Sequence, residues 1–321
     1  MDFKTAVDYK QAISSSFFNM FAFARTVYSF AAAARPGAST VSTQISTDVK
    51  AVGVAEKENG DNYVRVLKLK HSALRSRDIA QHFDLKATDI IVEDTSPIKF
   101  KTPTNNHRPP FPGISVGHYQ VTAGTLGCFV KDGKGKTYVL SNNHVLANTN
   151  RGFYKDPILQ PGKLDGGRRR NDVIAELTYL VELDLQNPNM MDAALAELTL
   201  DSTPVYLVNQ TNKIAGSIDP VNKMKVEKYG RTTGHTKGRI TTRSMDLKVE
   251  YDAGREIGFR DQMQIKGYGG KMFCDGGDSG SLVFQSDTLK AVGLLFAGDD
   301  DGTTYASPIK DVLTELSVKI L

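Results

Sequence analysis

The chain has 321 residues, of which 40% are apolar and 24% are charged. This apolar share can fill a sizeable core, which excludes wholesale disorder, and 28 glycines with 12 prolines are too few for a fibrous protein. The net charge of +4 is too small to indicate a nucleic-acid partner by itself. The length predicts more than one domain.

Residues 17–34 (FFNMFAFARTVYSFAAAA) are rich in apolar side chains, which leaves a targeting segment and a packed helix as alternatives. Arg25 and the acidic residues before this run argue against a signal peptide and a membrane span. Apolar residues recur at three- and four-residue steps, and this favours an amphipathic helix within residues 1–38 that packs or binds a regulatory partner. The apolar positions are Ile13, Phe17, Met20, Phe21, Ala24, Val27, Tyr28 and Ala31.

A small α+β domain is predicted over residues 48–100. The Ser/Thr-rich residues 39–47 before it are typical of a linker. Asn59-Gly60 lies between two β-prone runs and indicates a hairpin. The predicted elements of this small domain are strands at 49–54, 63–69 and 89–92 and a helix at 76–85.

The sequence pattern changes after a proline-rich connector at residues 101–113. From residue 114 onward, short β-prone runs recur between Gly, Asn and Asp, which predicts an all-β sandwich or barrel. An apolar stripe over residues 309–320 predicts a helix at the end of this region.

Three short segments of the β-rich region carry groups that can act together. A β-prone run leads into His144, Asp192 precedes a second run, and Ser279 lies in a glycine-rich turn before a third. A serine hydroxyl is a weak nucleophile unless a histidine accepts its proton and a carboxylate orients that histidine. The backbone N–H groups of Gly277 and Ser279 could bind the oxyanion that forms on a carbonyl under attack.

These segments resemble those of the chymotrypsin-like (trypsin-fold) serine peptidases. The matching motifs are LSNNHV at 140–145, DAAL at 192–195 and GDSG at 277–280, in the order His, Asp, Ser. The resemblance covers residues 114–321 and implies a mainly β fold, a double β-barrel with a C-terminal helix, and a catalytic triad of His144, Asp192 and Ser279. Ser281 stands where most members have a second glycine, so the turn can differ.

The resemblance also implies a specificity pocket and a cellular setting. Phe273, Cys274 and Asp275 would form one pocket wall, and Phe296, Ala297 and Gly298 the other. The family disulfides are missing, as in a bacterial-type intracellular member. Because Cys128 and Cys274 lie far apart in sequence, we expect a reducing, cytoplasmic location, although one bridge remains compatible with the count.

The sequence thus predicts a serine endopeptidase that processes a specific protein or peptide target. The alternative is a catalytically silent pseudoprotease that binds peptides by strand addition. We expect no cofactor, since hydrolysis needs only water, and no metal, since the His and Cys spacing fits no metal site. Neither a nucleic-acid partner nor a membrane span is expected.

Two details of the predicted peptidase remain open. A small or apolar substrate residue before the scissile bond is favoured. The alternative is a preference for a basic substrate residue, which Asp275 and the three aspartates at 299–301 could bind. Asp278 could pair with a new N-terminus released by cleavage before Ile114, or with a group inside the fold. The internal partner is the simpler interpretation, since a buried carboxylate needs a partner in any case.

Overall fold

The computed structural model describes residues 1–18, 38–95, 104, 106–199, 207–208, 212–251 and 254–321. The strands, in chain order, are β1 (Val49–Glu56), β2 (Asn62–Leu69), β3 (Ile90–Thr95), β4 (Ser115–His118), β5 (Gly124–Thr125), β6 (Cys128–Lys131), β7 (Thr137–Ser141), β8 (Pro157–Leu159), β9 (Val173–Leu180), β10 (Ala194–Leu198), β11 (Leu207–Val208), β12 (Asn212–Lys213), β13 (Lys225–Gly230), β14 (Gly234–Tyr251), β15 (Arg255–Gly267), β16 (Leu282–Gln285), β17 (Ala291–Gly298), β18 (Thr303–Pro308) and β19 (Lys319–Ile320). The helices are α1 (Phe3–Phe17), α2 (Ala38–Asp48), α3 (Ser76–His82), α4 (Asn143–Leu146) and α5 (Ile309–Glu315).

The first barrel is an eight-stranded sheet with the order β19-β6-β7-β10-β9-β8-β4-β5. Its core consists of alternating strand residues such as Val139, Ile174 and Ala196, all fully buried. In β7, the neighbouring Tyr138 and Leu140 belong to a second core cluster, so alternate residues of this strand face two different cores. The barrel holds β7 next to β10, and these are the two strands that flank His144 and Asp192.

The second barrel comprises β13 to β18. Its strands follow the order β13-β16-β17-β18-β15-β14, and an additional pairing between β13 and β14 closes the ring. β14 is long enough to pair with three strands: residues 234–239 pair with β13, residues 242–247 with β1 and residues 238–251 with β15. Together with the first barrel, this ring confirms the predicted mainly β, double-barrel fold class.

The N-terminal strands continue the sheet of the second barrel. β1 runs antiparallel to β14 and to β2, while β3 runs parallel to β2 after a crossover through α3. Helix α1 packs on this extension, where its fully buried Ile13 joins the core around Val52 and Val66. The predicted strands and hairpin are therefore present, whereas the domain boundaries around them stay predictions.

Two helix predictions need correction or fall outside the described residues. Residues 39–47, predicted as a linker, belong to α2, because burial of Ile45 in the N-terminal core outweighs the turn preference of Ser and Thr. Helix α1 covers only the start of the predicted apolar stripe, and residues 19–37 lie outside the described residues. In the part of the chain that the structure describes, no helix is long and apolar enough to cross a membrane.

The C-terminal segment also differs from the prediction of one helix over residues 309–320. Helix α5 ends at Glu315, and Ser317 adopts a left-handed backbone conformation with φ 52°. The chain then forms β19, which pairs with β6. Pairing with a strand edge supplies backbone hydrogen bonds to the first barrel, which a further helical turn would leave unmade.

Candidate active site

His144 and Asp192 are brought together by the pairing of β7 with β10. His144 lies in α4, three residues beyond Ser141 at the end of β7, and Asp192 lies two residues before Ala194 at the start of β10. Ser141 and Ala194 are directly opposite each other in the antiparallel ladder. The two side chains therefore emerge at the same end of the strand pair.

The imidazole of His144 is fixed by the carboxylate of Asp192. His144 Nδ1 lies 2.5 Å from Asp192 Oδ2, and the His144 backbone N–H donates to Asp192 Oδ1 at 3.2 Å. Asn142 Nδ2 donates to the Asp192 carbonyl at 2.7 Å, which anchors the backbone beneath the carboxylate. Because Nδ1 faces a carboxylate, it carries the proton, and Nε2 is left as the acceptor.

A tyrosine that the sequence did not single out also reaches the carboxylate. The hydroxyl of Tyr251, at the end of β14, donates to Asp192 Oδ2 at 2.9 Å. Its ring stands edge-on to that of His144, with centroids 6.2 Å apart and planes at 87°. No local motif marks Tyr251, because only the pairing of distant strands brings it to this place.

Ser279 lies in the turn before β16 and contacts β5 of the first barrel. Its carbonyl accepts from Thr125 N at 2.7 Å, and its hydroxyl donates to the Phe296 carbonyl at 3.2 Å. Gly124 is packed so closely that a β-carbon there would lie 2.4 Å from Val145 Cγ2 and 3.0 Å from the Ser279 carbonyl. The segments of His144 and Ser279 therefore lie on two sides of one contact between the barrels.

The turn also presents two backbone donors. Gly277 has φ 83°, a left-handed conformation that favours glycine. Its carbonyl accepts from Thr125 Oγ1 at 2.7 Å, which fixes the orientation of the peptide. Among the described residues, neither the Gly277 N–H nor the Ser279 N–H has an acceptor. Two N–H groups of this kind, two residues apart in one turn, can bind an oxyanion.

Asp278 is paired inside the fold. Its carboxylate lies 3.0 Å from Lys228 Nζ, and both side chains are fully buried. It also accepts from Thr233 Oγ1 at 2.6 Å and from the Thr232 and Asp275 backbone N–H groups at 2.8 and 2.9 Å. The internal partner favoured from the sequence is thus a lysine of β13, which no local pattern marked.

Ile114, the residue after the suggested cleavage point, has its own place in the first barrel. Its carbonyl accepts from Leu126 N at 2.8 Å, and the preceding Gly113 N–H donates to the Leu126 carbonyl at 2.7 Å. The Asp278 carboxylate already has a cationic partner and four other donors. The turn around Ser279 is therefore held without a new N-terminus.

The residues predicted to form the pocket walls meet at one point. A β-carbon on Gly298 would lie 2.7 Å from Cys274 Sγ, which also accepts from Thr304 Oγ1 at 3.0 Å. Burial raises the pKa of the Cys274 thiol to about 12, so it stays protonated at neutral pH. The Phe273 and Phe296 side chains are fully buried in two separate core clusters, and Ala297 is buried with Phe296.

Two carboxylates near these walls are already engaged. Asp275 Oδ1 accepts from the Gly276 N–H at 2.7 Å. Asp299 is buried, and it accepts from Thr303 N at 2.8 Å and from Thr95 Oγ1, in the N-terminal extension, at 2.9 Å. Burial raises the pKa of Asp299. Among the described residues, no group of three His, Cys, Asp or Glu side chains could hold a metal ion.

Neither a protein-family model nor the sequence of a curated protein matches the chain. Among solved structures, it is similar to a glutamic-acid-specific serine protease described as using a novel histidine triad in substrate binding, at 18% identity and a TM-score of 0.48, over 66% of this chain and 100% of that one. It is also similar to Thermobifida fusca protease A, at 18% identity and 0.47, over 66% and 97% of the two chains. Nocardiopsis protease matches at 17% identity and 0.47, over 65% and 97%.

Proposed function

We propose that the chain is a serine endopeptidase in which Ser279 is the nucleophile, His144 the general base and Asp192 the group that orients His144. The observation that carries the proposal is the 2.5 Å contact between His144 Nδ1 and the buried Asp192 carboxylate. This contact leaves Nε2 as a proton acceptor, which is the state that a general base needs. The Ser279 segment packs against the His144 segment through Gly124.

The first chemical step is attack of Ser279 Oγ on the scissile carbonyl. The hydroxyl, which donates to the Phe296 carbonyl, turns toward His144 Nε2 and passes its proton there as the new C–O bond forms. The Gly277 and Ser279 N–H groups stabilise the negative charge on the carbonyl oxygen. His144 then gives the proton to the leaving amine, and water hydrolyses the acyl-enzyme by the reverse sequence.

For the substrate, we propose a small or apolar residue before the scissile bond. The closeness of Cys274 Sγ to Gly298 supports this choice, because it leaves little room for a long substrate side chain between the two walls. Asp299 already accepts hydrogen bonds from Thr303 and Thr95 and is not presented to a cation. Cleavage profiling of a peptide library tests the proposal, and a strong preference for Arg or Lys would overturn it.

We further propose that the enzyme processes specific targets in the cytoplasm. The two cysteines support a reducing compartment, since both are buried free thiols. Mapping new N-termini in cells that express the active chain or its Ser279→Ala variant tests target selectivity. A few reproducible sites are expected, whereas hundreds of unrelated sites would indicate bulk digestion. Cell fractionation tests the location.

Labelling by a fluorophosphonate probe is the decisive test of the chemistry. We expect the intact chain to be labelled, because an activated serine attacks the probe's phosphorus. Ser279→Ala should abolish labelling, while Ser286→Ala, in the turn after β16, should retain it. Absence of labelling in the intact, folded chain would contradict the peptidase proposal.

The second candidate is a pseudoprotease that binds peptides without cleaving them. The observation that favours it is the hydrogen bond that the Ser279 hydroxyl donates to the Phe296 carbonyl, because its one proton is then not donated to the imidazole. If this arrangement persists with substrate bound, peptides bind between the barrels but are not cleaved. Peptide binding without labelling or turnover would support this candidate.

A further inference from the structure

Tyr251 occupies an unusual position for a strand residue. It ends β14 and lies opposite Arg255 in the pairing with β15, at the far end of the longest hairpin of the described residues. Its side chain is only 7% exposed and packs in the core cluster that includes Leu183 and Phe259. The hairpin therefore carries a buried hydroxyl from the second barrel to the His144–Asp192 pair on the first.

The hydroxyl contacts the very oxygen that orients the histidine. Asp192 Oδ2 accepts from Tyr251 at 2.9 Å and lies 2.5 Å from His144 Nδ1, while Oδ1 accepts from the His144 backbone N–H. Asp192 is fully buried, and a buried carboxylate is stable only when donors surround it. The tyrosine thus restrains the plane of the carboxylate and stabilises its negative charge.

We infer that Tyr251 is a positioning residue of the proposed peptidase, which holds the Asp192 carboxylate in the plane that orients His144. The inference rests on the proposed function for its catalytic consequence. Tyr251 acts through Asp192, to whose carboxylate its hydroxyl donates. Because two donors fix Oδ2 from different directions, the carboxylate cannot rotate without breaking one of these bonds.

The N-terminal extension holds the strand that carries Tyr251. Lys248 Nζ donates to the Ser46 carbonyl of α2 at 2.7 Å. Lys50 of β1 forms an ion pair with Glu256, on the partner strand of the same hairpin. These contacts lie within a few residues of Tyr251 and connect residues 46–50 to the end of the hairpin. The extension thereby supports the placement of the tyrosine hydroxyl.

The chain offers a matched control for a Tyr→Phe test. Tyr138, in the first barrel, is also 7% exposed, and its hydroxyl donates to the Asp132 carboxylate at 3.1 Å. For Tyr251→Phe we expect kcat to fall about tenfold with KM changed less than about twofold, because a hydrogen bond to a charged group is lost and no substrate contact is removed. For Tyr138→Phe we expect both constants to stay at the wild-type values.

A spectroscopic readout separates positioning from general damage. In the Ser279→Ala background, proton NMR observes the low-field resonance of the His144 Nδ1–H. We expect Tyr251→Phe to shift or broaden it and Tyr138→Phe to leave it in place. An unmoved resonance overturns the inference, and so does a wild-type kcat for Tyr251→Phe or an equal loss in both variants.

The same design distinguishes failure of the inference from failure of the proposed function. If the intact chain neither hydrolyses peptides nor reacts with a fluorophosphonate, the peptidase proposal fails. The NMR comparison still decides whether Tyr251 holds the His144–Asp192 pair, since it needs no turnover. If the intact chain is active and Tyr251→Phe matches it in kcat, only the inference about Tyr251 fails.

Discussion

The two barrels hold their halves of the candidate site by different means. In the first barrel, uncharged amides fix the segment of His144: Asn142 donates to the Asp192 carbonyl, and Asn143 donates to the Val181 carbonyl. In the second barrel, buried charges fix the turn of Ser279, where Asp278 pairs with Lys228. The backbone around His144 and Asp192 is thus held by neutral amides, and the turn of Ser279 by an ion pair.

The difference follows from the backbone that each half must hold. His144 and Asp192 project from paired strands, whose ladder already satisfies most backbone groups. The turn at Ser279 leaves two N–H groups without acceptors among the described residues, and Gly277 is in a left-handed conformation. Such a turn lacks a ladder of its own, so its shape depends on side-chain contacts such as those of Asp278.

The largest expected effect comes from breaking the ion pair of the second barrel. Lys228→Met leaves the Asp278 carboxylate buried without its cation, which typically costs about 3–5 kcal/mol. We expect a loss of this size in the free energy of unfolding measured with urea, together with loss of fluorophosphonate labelling.

The exposed pair of Lys136 with Glu197 provides the control, and Lys136→Met should leave the unfolding midpoint unchanged. A Lys228→Met variant as stable and as reactive as the wild type would show that the charge does not hold the turn.

Removing an amide from the first barrel should have a smaller effect. Asn142→Ala deletes the donor to the Asp192 carbonyl and leaves a buried acceptor unpaired, at a cost of about 1–3 kcal/mol. Urea unfolding measures this cost, and kcat for a peptide substrate should fall with it. A loss equal to that of Lys228→Met would remove the distinction between the two halves.

Thr125 tests the contact where the two halves meet. Its hydroxyl donates to the Gly277 carbonyl at 2.7 Å and accepts from Arg231 N at 3.1 Å. Thr125→Val keeps the shape of the side chain but removes both bonds, which should cost about 1–2 kcal/mol. We expect kcat to fall without a comparable rise in KM, while Thr178→Val, on strand β9 of the first barrel, should leave kcat unchanged.

The smallest effect concerns a buried histidine of the first barrel. His118 is fully buried beside Asp156, and burial lowers its pKa from 6.5. The unfolded chain therefore binds the proton first as the pH falls, so the free energy of unfolding decreases below pH 6.5. His118→Gln should show a weaker decrease between about pH 7 and about pH 5 in urea titrations. Parallel curves for both proteins would contradict this assignment.

Local sequence patterns predicted most of the strands, and they singled out His144, Asp192 and Ser279 as candidate catalytic residues. The motifs around His144 and Asp192 and the glycines around Ser279 are short-range signals. The recurrent short β-prone runs predicted a sandwich or barrel, and the resemblance that those motifs carried implied the double barrel. Such signals can be recognised in the sequence because turns and strand ends depend on a few neighbouring residues.

The contacts that complete the site have no local signature. Lys228, Tyr251 and Thr125 reach it only through pairings between distant strands. The helix α2 and the strand β19 were missed for the same reason, since tertiary burial and edge pairing decided their conformation. The tyrosine could be found from sequence only if the register of the β14–β15 hairpin were known.

The pairing of β1 with β14 has a consequence for biosynthesis. The ribosome makes residues 49–56 early, but their neighbour at residues 242–247 emerges only after almost 190 further residues. Until then, one edge of the nascent β1–β2 hairpin stays uncovered, and such edges invite aggregation. Translation in the presence of a holdase chaperone should therefore improve the yield of soluble chain.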